Sequence, residues 1–525
     1  MRAQGSGFRN DDEDRGPGVT IEFELSRTHL PIASVYRHAR ELPEATAMVD
    51  ASTRITYREF LHRIRSAAAR LAAAGVERGD RVALVAGNCA EFPVAVYATN
   101  YLGAIIVPVN FRLAAGEVAY ILGDSAPSVV VTDEDRAPIV RAAVAEAGET
   151  VQVLDLVSLA DPAEEAEVPD PVVCASGDDQ AIMYTSGTTG RPKGAVLTYS
   201  NFLTTTMRST ASWAYVPGKD AVLIASPMFH IAAFNVMTTG IANAAASVIT
   251  ASTGFDAGHL LDVMEEHGVT RTFMVPAQWQ LIVDEQRRAP RAVDLRFYSW
   301  GAAPATQALL TALRETFPDA ESQAAFGQTE TSAAGMSLNH EDSLRKLGSV
   351  GLPDTNVSIR VVDGQMNDVP QGEVGEIVYR GPCVMDRFWN NEEATAEAFA
   401  GGWFHSGDLV RQDEDGYVYV VDRVKDMIIS GGENIYCAEL ENVIAWHPKV
   451  AEVAVVGRKD EKWGEIPVAV IVPHRDEDPP TLEDVRDFCD GQIARYKMPK
   501  DILLKDAFPR SGTGKIQKNV LRTEV

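Results

Sequence analysis

The feature that most constrains this chain is an alternation, repeated between residues 56 and 313, of short apolar runs with stretches whose apolar side chains recur at helical spacing. Over 56–74, Phe60, Leu61, Ile64, Ala67, Ala68 and Leu71 fall on one helical face, with Thr56 placed to cap the first turn and Gly75 to end the last. The apolar run 82–85 follows, then a helical stretch over 90–101, runs over 105–109 and 129–131, and a helix-like segment over 137–147. The pattern returns between 221 and 313, where VLIAS, ASVIT and TFMVP are separated by helical segments. Such spacing predicts right-handed βαβ units around a largely parallel, buried sheet.

The texture changes after Gly348. Between 357 and 421 the pieces VSIRVV, GEIVYR and GYVYVV are broken by Gly, Asp and Asn turns, which predicts a small antiparallel barrel or sandwich. Beyond 422, AEVAVVG and PVAVIVP read as strands, and Thr481 caps a helix with Leu482, Val485, Phe488 and Ile493 turned inward. The expected fold class is therefore α/β: a large N-terminal domain over 19–421, built of βα-layered subdomains plus a small β-barrel, followed by a smaller α+β C-terminal domain.

Composition narrows the function. The chain has 525 residues, room for roughly three to four folding units at about 150 residues each. It carries 48 Lys plus Arg against 74 Asp plus Glu, a net charge of −26, which disfavours a general nucleic-acid or anionic-membrane surface. A polyanionic ligand must find local basic residues. Cys89, Cys174, Cys383, Cys437 and Cys489 lie far apart with no C-x-x-C pair, which suits a reducing compartment better than a disulfide framework or a zinc site. Residues 1–18 are polar and read as a disordered tail, and no window is long and apolar enough to span a bilayer. The expected location is the cytoplasm.

Two Gly-rich segments carry phosphate-binding chemistry. In the first, Thr185, Ser186, Gly187, Thr188, Thr189, Gly190 and Lys193 lie between the apolar runs AIMY and AVLTY. Glycines let successive N–H groups turn inward, hydroxyls add donors and the lysine adds charge, so the segment can cradle an anion. It is not a Walker loop, since the G-K-[ST] ending is missing and the loop joins two strands. Alone, it reads equally well as a flexible Gly/Thr linker. The second, PRSGTGKI over 509–516, also fails the Walker spacing and alone reads as an exposed turn with a solvated Lys515.

Taken in order, the motifs resemble those of the adenylate-forming superfamily, the group of acyl-CoA synthetases, firefly luciferases and peptide-synthetase adenylation domains. The resemblance runs from about residue 21 to 521 and rests on YTSGTTGRPKG, SPMFH at 226–230, GAAP at 301–304, FGQTE at 326–330, GWFHSGD at 402–408, DRVKD at 422–426, SGGEN at 430–434 and the Lys515 segment. It implies a two-step reaction: a carboxylate attacks the α-phosphate of ATP, releasing pyrophosphate, and a thiol then displaces AMP.

The resemblance also implies roles. Thr185 to Gly190 and Lys193 hold the β- and γ-phosphates, Glu330 carries Mg2+, and Thr329 donates to the α-phosphate. Gly301, Ala302, Ala303 and Pro304 lie on the adenine edge, with Phe326 against its face, and Gly327 and Gln328 also belong to the nucleotide site. Asp408 accepts from both ribose hydroxyls, a task for an acceptor-only carboxylate, and Arg423 contacts ribose and phosphate. By themselves Asp408 reads as a turn aspartate beside Gly407 and Lys425 as a solvated lysine. Lys515 is the adenylation catalyst, clamping the carboxylate and the α-phosphate as a charge. Residues 422–426 form a hinge with Lys425 at the hinge position, and the domain over 427–525 rotates to withdraw Lys515 and present Ser430, Gly431 and Gly432 to a pantetheine arm. Trp463 approaches CoA, with Arg458, Lys459 and Lys462 nearby for its phosphates.

The acyl side follows from position 230. Amino-acid-activating relatives place an aspartate there to pair with the substrate ammonium; His230 leaves such an ammonium unpaired in a desolvated pocket. A hydrophobic, non-amino carboxylic acid is expected, lined by His230, Ala232 and Ala233, although His230 alone reads nearly as well as a packed histidine. Trp300 stands where relatives carry a small residue, and Ala302 where Gly is common; a bulky ring at the adenine and acyl walls would reshape the pocket or weaken ATP binding. The leading expectation is an ATP-dependent acyl-CoA ligase using ATP, Mg2+ and CoA, with a homodimer left open. The alternatives are an enzyme limited to one half-reaction, delivery to a carrier protein, a luciferase-like oxygenase, and a non-catalytic nucleotide binder.

Overall fold

A computed structural model describes residues 21–148, 150–162, 168–185, 191–431, 433–474, 478–510 and 516–525. The tail over 1–18 and the expected site residues Ser186, Gly187, Thr188, Thr189, Gly190, Gly432 and Lys515 lie outside them. The chain divides into two compact units. The first is Met1–Ser322 with Gly327–Ala334 and Pro382–Glu392; the second is Gln323–Phe326 with Gly335–Gly381 and Glu393–Val525.

The first unit realises the βα alternation in two sheets. In one, the strands Ile105–Pro108, Arg81–Val85, Val129–Thr132 and Gln152–Asp155 run parallel in that order. On the other side of Ile105–Pro108 comes the parallel strand Asp179–Thr185, then Lys193–Thr198 and Arg387–Phe388, each antiparallel to its neighbour. In the other sheet Phe297–Gly301, Arg271–Met274, Ala221–Ile224, Ala246–Ile249 and Thr46–Val49 are parallel, and Arg54–Thr56 closes the edge antiparallel.

Helices pack on these sheets where the sequence places them. Tyr57–Ala73 opens on a reciprocal cap: the Glu59 N–H donates to the Thr56 hydroxyl at 3.3 Å and the Thr56 N–H donates to the Glu59 carboxylate at 2.8 Å. Glu91–Tyr101 is buried at every position after Glu91, so it reads as an apolar run with no polar stripe. Ile231–Ala242 is buried almost throughout and lies close on its sheet: a Cβ on Gly240 would stand 2.7 Å from Val222 Cγ1.

In the second unit, the β-rich piece expected between 357 and 421 is a four-stranded antiparallel sheet in the order Ser358–Val362, Val374–Arg380, Phe404–Gln412, Val418–Arg423. The α+β piece follows, with Val450–Asp460 and Gly464–Pro473 paired along their whole length and Asp501–Leu504 parallel to the latter. Its core gathers Ile428, Ile435, Leu440, Ile444, Val455, Ile471 and Val485. The helix expected from Thr481 is shorter than its apolar pattern suggested. It runs Leu482–Cys489, capped by the Thr481 hydroxyl, and the chain breaks at Gly491, where φ is +78°, so Ile493 is buried beyond the helix.

Candidate active site

The strands that flank the Gly/Thr segment pair as an antiparallel hairpin, with Thr185 and Lys193 opposite one another at its mouth. One helix, Ala115–Ser125, holds both sides of that mouth: the Tyr184 hydroxyl donates to Asp124 Oδ2 at 2.5 Å, and the Tyr120 hydroxyl donates to the Pro192 carbonyl at 3.2 Å. Burial, and then the bond to Asp124, pushes the Tyr184 hydroxyl well above its usual range, so it stays a donor. A Cβ on Gly194 would lie 2.7 Å from Ile182 Cγ2, so only glycine fits beside the tyrosine. The Lys193 ammonium sits 5.3 Å over the Phe388 ring.

Facing this mouth is Glu330. The Thr185 hydroxyl donates to Glu330 Oε1 at 3.1 Å, and the Met385 N–H donates to the Glu330 carbonyl at 2.7 Å. Glu330 belongs to a tight turn: Thr329–Thr331 forms one 3-10 turn, and Ser332 and Ala333 both follow in the left-handed region at φ +54°. The Gln328 N–H caps Thr331 Oγ1 at 3.1 Å. The turn closes against Gly327, where a Cβ would be 2.7 Å from the Ala333 carbonyl carbon. A carboxylate with a hydroxyl beside it, at the mouth of an anion cradle, is the hard-oxygen donor set that Mg2+ takes when phosphates supply the rest. No cluster of three acidic, His or Cys side chains competes for a metal among the described residues.

Strand Phe297–Gly301 ends in Ala302, at φ +64°, and Ala302, Ala303 and Pro304 are exposed at its tip. The expected acyl wall divides. His230 is the residue before the helix Ile231–Ala242, with Ala232 half-buried and Ala233 buried in its first turn. Trp300 is placed elsewhere. Successive strand residues face opposite ways: Phe297 packs on Trp213 of Tyr199–Trp213, the helix that also sets Phe202 against Phe234, whereas Tyr298 packs on Trp279. The Trp300 ring is 6.3 Å from Tyr298 and shares that second face, behind the strand as seen from the helix that follows His230.

In the second unit Asp408 and Arg423 are partners. They face each other across adjacent strands, and Arg423 Nε lies 2.6 Å from Asp408 Oδ1. The Asp408 side chain is 5% exposed and that of Arg423 is 44% exposed, so the carboxylate is sunk and the guanidinium remains at the surface. The bend before it is fixed by Gly407, at φ +71°, whose N–H donates to Glu376 at 2.9 Å.

The expected hinge 422–426 is bound to the end of the chain. Arg522 donates to the Lys425 carbonyl at 2.9 Å and to Asp426 Oδ1 at 2.6 Å, and Lys518 pairs with Glu441 at 2.6 Å. Desolvation by the surrounding chain pushes the ammonium of the exposed Lys425 below its ordinary value, and burial pushes the Asp422 carboxyl above its own. Nearby, Gly431 at φ +62° packs on the Trp463 ring, and its N–H donates to the Trp463 carbonyl at 2.7 Å. Trp463 is 46% exposed, Lys462 stands 4.8 Å over its ring, Ser430 is buried, and Arg458 is engaged by Asp501 at 2.7 Å.

Residues the motifs did not signal also shape the site: Tyr120 and Asp124 at the hairpin, Arg522 and Glu441 around the hinge, and Thr205, Asn235 and Cys383 around the Glu330 turn. Of these, Asn235 carries a sequence signal, a polar residue inside an otherwise apolar helical run.

Residues 35–389 match the AMP-binding enzyme family, and residues 439–515 match the AMP-binding enzyme C-terminal domain. The chain belongs to the AMP-binding enzyme family. It is 40% identical over 496 residues to the long-chain-fatty-acid–CoA ligase FadD13 of Mycobacterium tuberculosis, covering 92% of this chain and 96% of the relative. It is 38% identical to a feruloyl-CoA synthase of an Amycolatopsis species, covering 93% and 97%. Among solved structures, the o-succinylbenzoate CoA synthetase of Bacillus subtilis with its acyl-adenylate intermediate superposes with a TM-score of 0.84 at 32% identity, covering 93% of this chain and 97% of that one. The same enzyme with ATP and a magnesium ion gives 0.83 at 32% identity, covering 93% and 98%.

Proposed function

We propose that this AMP-forming acid–thiol ligase activates a hydrophobic, non-amino carboxylic acid and transfers it to CoA, with ATP and Mg2+ consumed in the first step. In that step a carboxylate oxygen bonds to the α-phosphorus, the α–β bridging bond breaks, and pyrophosphate leaves with the electron pair. In the second, the CoA thiolate attacks the acyl carbon and AMP departs. The first transition state gathers charge on phosphate oxygens, which preorganised donors and cations must meet. Thr185 and Lys193, fixed at the hairpin mouth, serve this end, and Glu330 with the Thr185 hydroxyl holds the metal. Bound Mg2+ neutralises phosphate charge.

Asp408 receives the ribose diol. Arg423, its ion-pair partner, holds that carboxylate in place and turns toward phosphate when the nucleotide arrives. Lys515 supplies the charge at the α-phosphate, and rotation about Lys425 replaces it by the Ser430 and Gly431 segment beside Trp463. His230, Ala232 and Ala233 line the acid, and Trp300 acts from behind the strand that carries Gly301.

The observation that carries this reading is the contact of Glu330 with Thr185 at the mouth of the hairpin. The test is pyrophosphate release across a panel of fatty, aryl and α-amino acids, with and without CoA. Release that depends on hydrophobic non-amino acids, with an acyl-CoA product when CoA is added, is expected. Release driven by α-amino acids alone contradicts the acyl assignment.

A further inference from the structure

The turn that carries Glu330 is held by buried polar groups that lie outside the sequence motifs. Ser332, two residues after Glu330, is fully buried and sits in the left-handed region at φ +54°, a conformation that a serine keeps only when its surroundings impose it. Three bonds do so. The Asn235 side-chain amide donates to the Ser332 carbonyl at 2.6 Å, the Thr205 hydroxyl donates to the same carbonyl at 3.3 Å, and the Ser332 hydroxyl donates to the Cys383 carbonyl at 2.9 Å.

The segment beyond Cys383 is pinned in turn. The Asn201 amide donates to the carbonyls of Pro382 and Val384, both at 2.8 Å, and the Met385 N–H reaches back to the Glu330 carbonyl at 2.7 Å. Thr205, Asn235 and Asn201 are 1%, 7% and 4% exposed, so no water substitutes freely for a lost partner. Two helices, Tyr199–Trp213 and Ile231–Ala242, thus reach past the acyl side to set the backbone of the carboxylate turn.

We infer that Asn235 and Thr205 are positioning residues that hold Glu330 toward Thr185, so that their loss weakens the magnesium-dependent part of nucleotide binding and leaves the nucleoside part intact. The inference rests on the reading of Glu330 as the metal carboxylate, and its test separates the two. Affinity for α,β-methylene-ATP, which cannot release pyrophosphate, is measured by titration calorimetry with and without Mg2+; affinity for AMP serves as the reference.

Asn235→Leu and Thr205→Val are each expected to cut the gain in affinity that Mg2+ confers, by roughly tenfold for the amide, as loss of a group supporting a metal ligand does. AMP affinity stays unchanged, and Glu330→Gln abolishes the gain. If Glu330→Gln loses the gain while both positioning variants keep it, the inference is overturned. An equal loss of AMP affinity overturns it too, because the damage is then general. If Glu330→Gln itself keeps the gain, the metal reading falls and the inference with it. Thr205→Val replaces a hydroxyl by a methyl of equal size, so the test survives a failure of Asn235→Leu to fold.

Discussion

Ala302 shows how a single position reports on a site. Its φ of +64° lies where an L side chain is disfavoured by about 1–2 kcal/mol, while a glycine adds about 0.4–1 kcal/mol of freedom to the unfolded chain. The first effect wins, so Ala302→Gly should raise the urea midpoint by an amount worth about 0.5–1 kcal/mol; a lower midpoint would show that the strain is not there. This residue was legible in the sequence, because the motif around it favours glycine. For Trp300, two residues earlier, adjacency to Gly301 carried no sign of the face it takes, which strand alternation makes the face of Tyr298. Gly327 was legible only as a motif letter, and Ser332, outside every motif, was not legible because the groups that fix it, Asn235, Thr205 and Cys383, are distant in sequence.

At the scale of elements, the helices with caps and clean periodicity were readable and the partners between them were not. Thr56, Glu59 and Gly75 mark both ends of Tyr57–Ala73, whereas the helix after Thr481 stops at Cys489 because a local Asp-Gly turn outweighs the continuing apolar pattern. His38 is a contact that no pattern announced. On Pro31–Glu41, it bonds through Nε2 to the Ala242 carbonyl at 3.0 Å and packs edge-on against Tyr57, joining three helices. Burial pushes its imidazole below the ordinary 6.5, with the Ala242 carbonyl pulling the other way. A depressed folded value means that the unfolded chain takes up the proton first as pH falls. The stability His38 contributes is therefore complete above that ordinary value and is lost progressively below it. The unfolding midpoint should drop between roughly pH 7 and 5.5, and His38→Gln should flatten that slope. Burial lowers His447 in the second unit likewise, so a residual slope remains; an unchanged slope in the variant contradicts the assignment.

At the scale of the whole molecule, the sequence revealed the reaction class because motifs spread from Thr185 to Lys515 are ordered along one chain, and their order survives whatever the intervening segments do. A net charge of −26 makes the same point physically: the general field repels a polyanionic substrate, so the proposed function needs local cations such as Lys193 and Arg423. What sequence order leaves out is which residues meet. The pairing of Asp408 with Arg423 and of Glu330 with Thr185 emerges only from sheet register and turn geometry. In the proposed first step the acid's own oxygen becomes bonded to the α-phosphorus. The most direct measurement supplies an accepted acid whose carboxylate carries heavy oxygen, together with ATP, Mg2+ and CoA, and weighs the nucleotide and phosphate products by mass spectrometry. One heavy oxygen in AMP and none in pyrophosphate is expected; heavy oxygen in inorganic phosphate alongside ADP would rule out attack at the α-phosphorus.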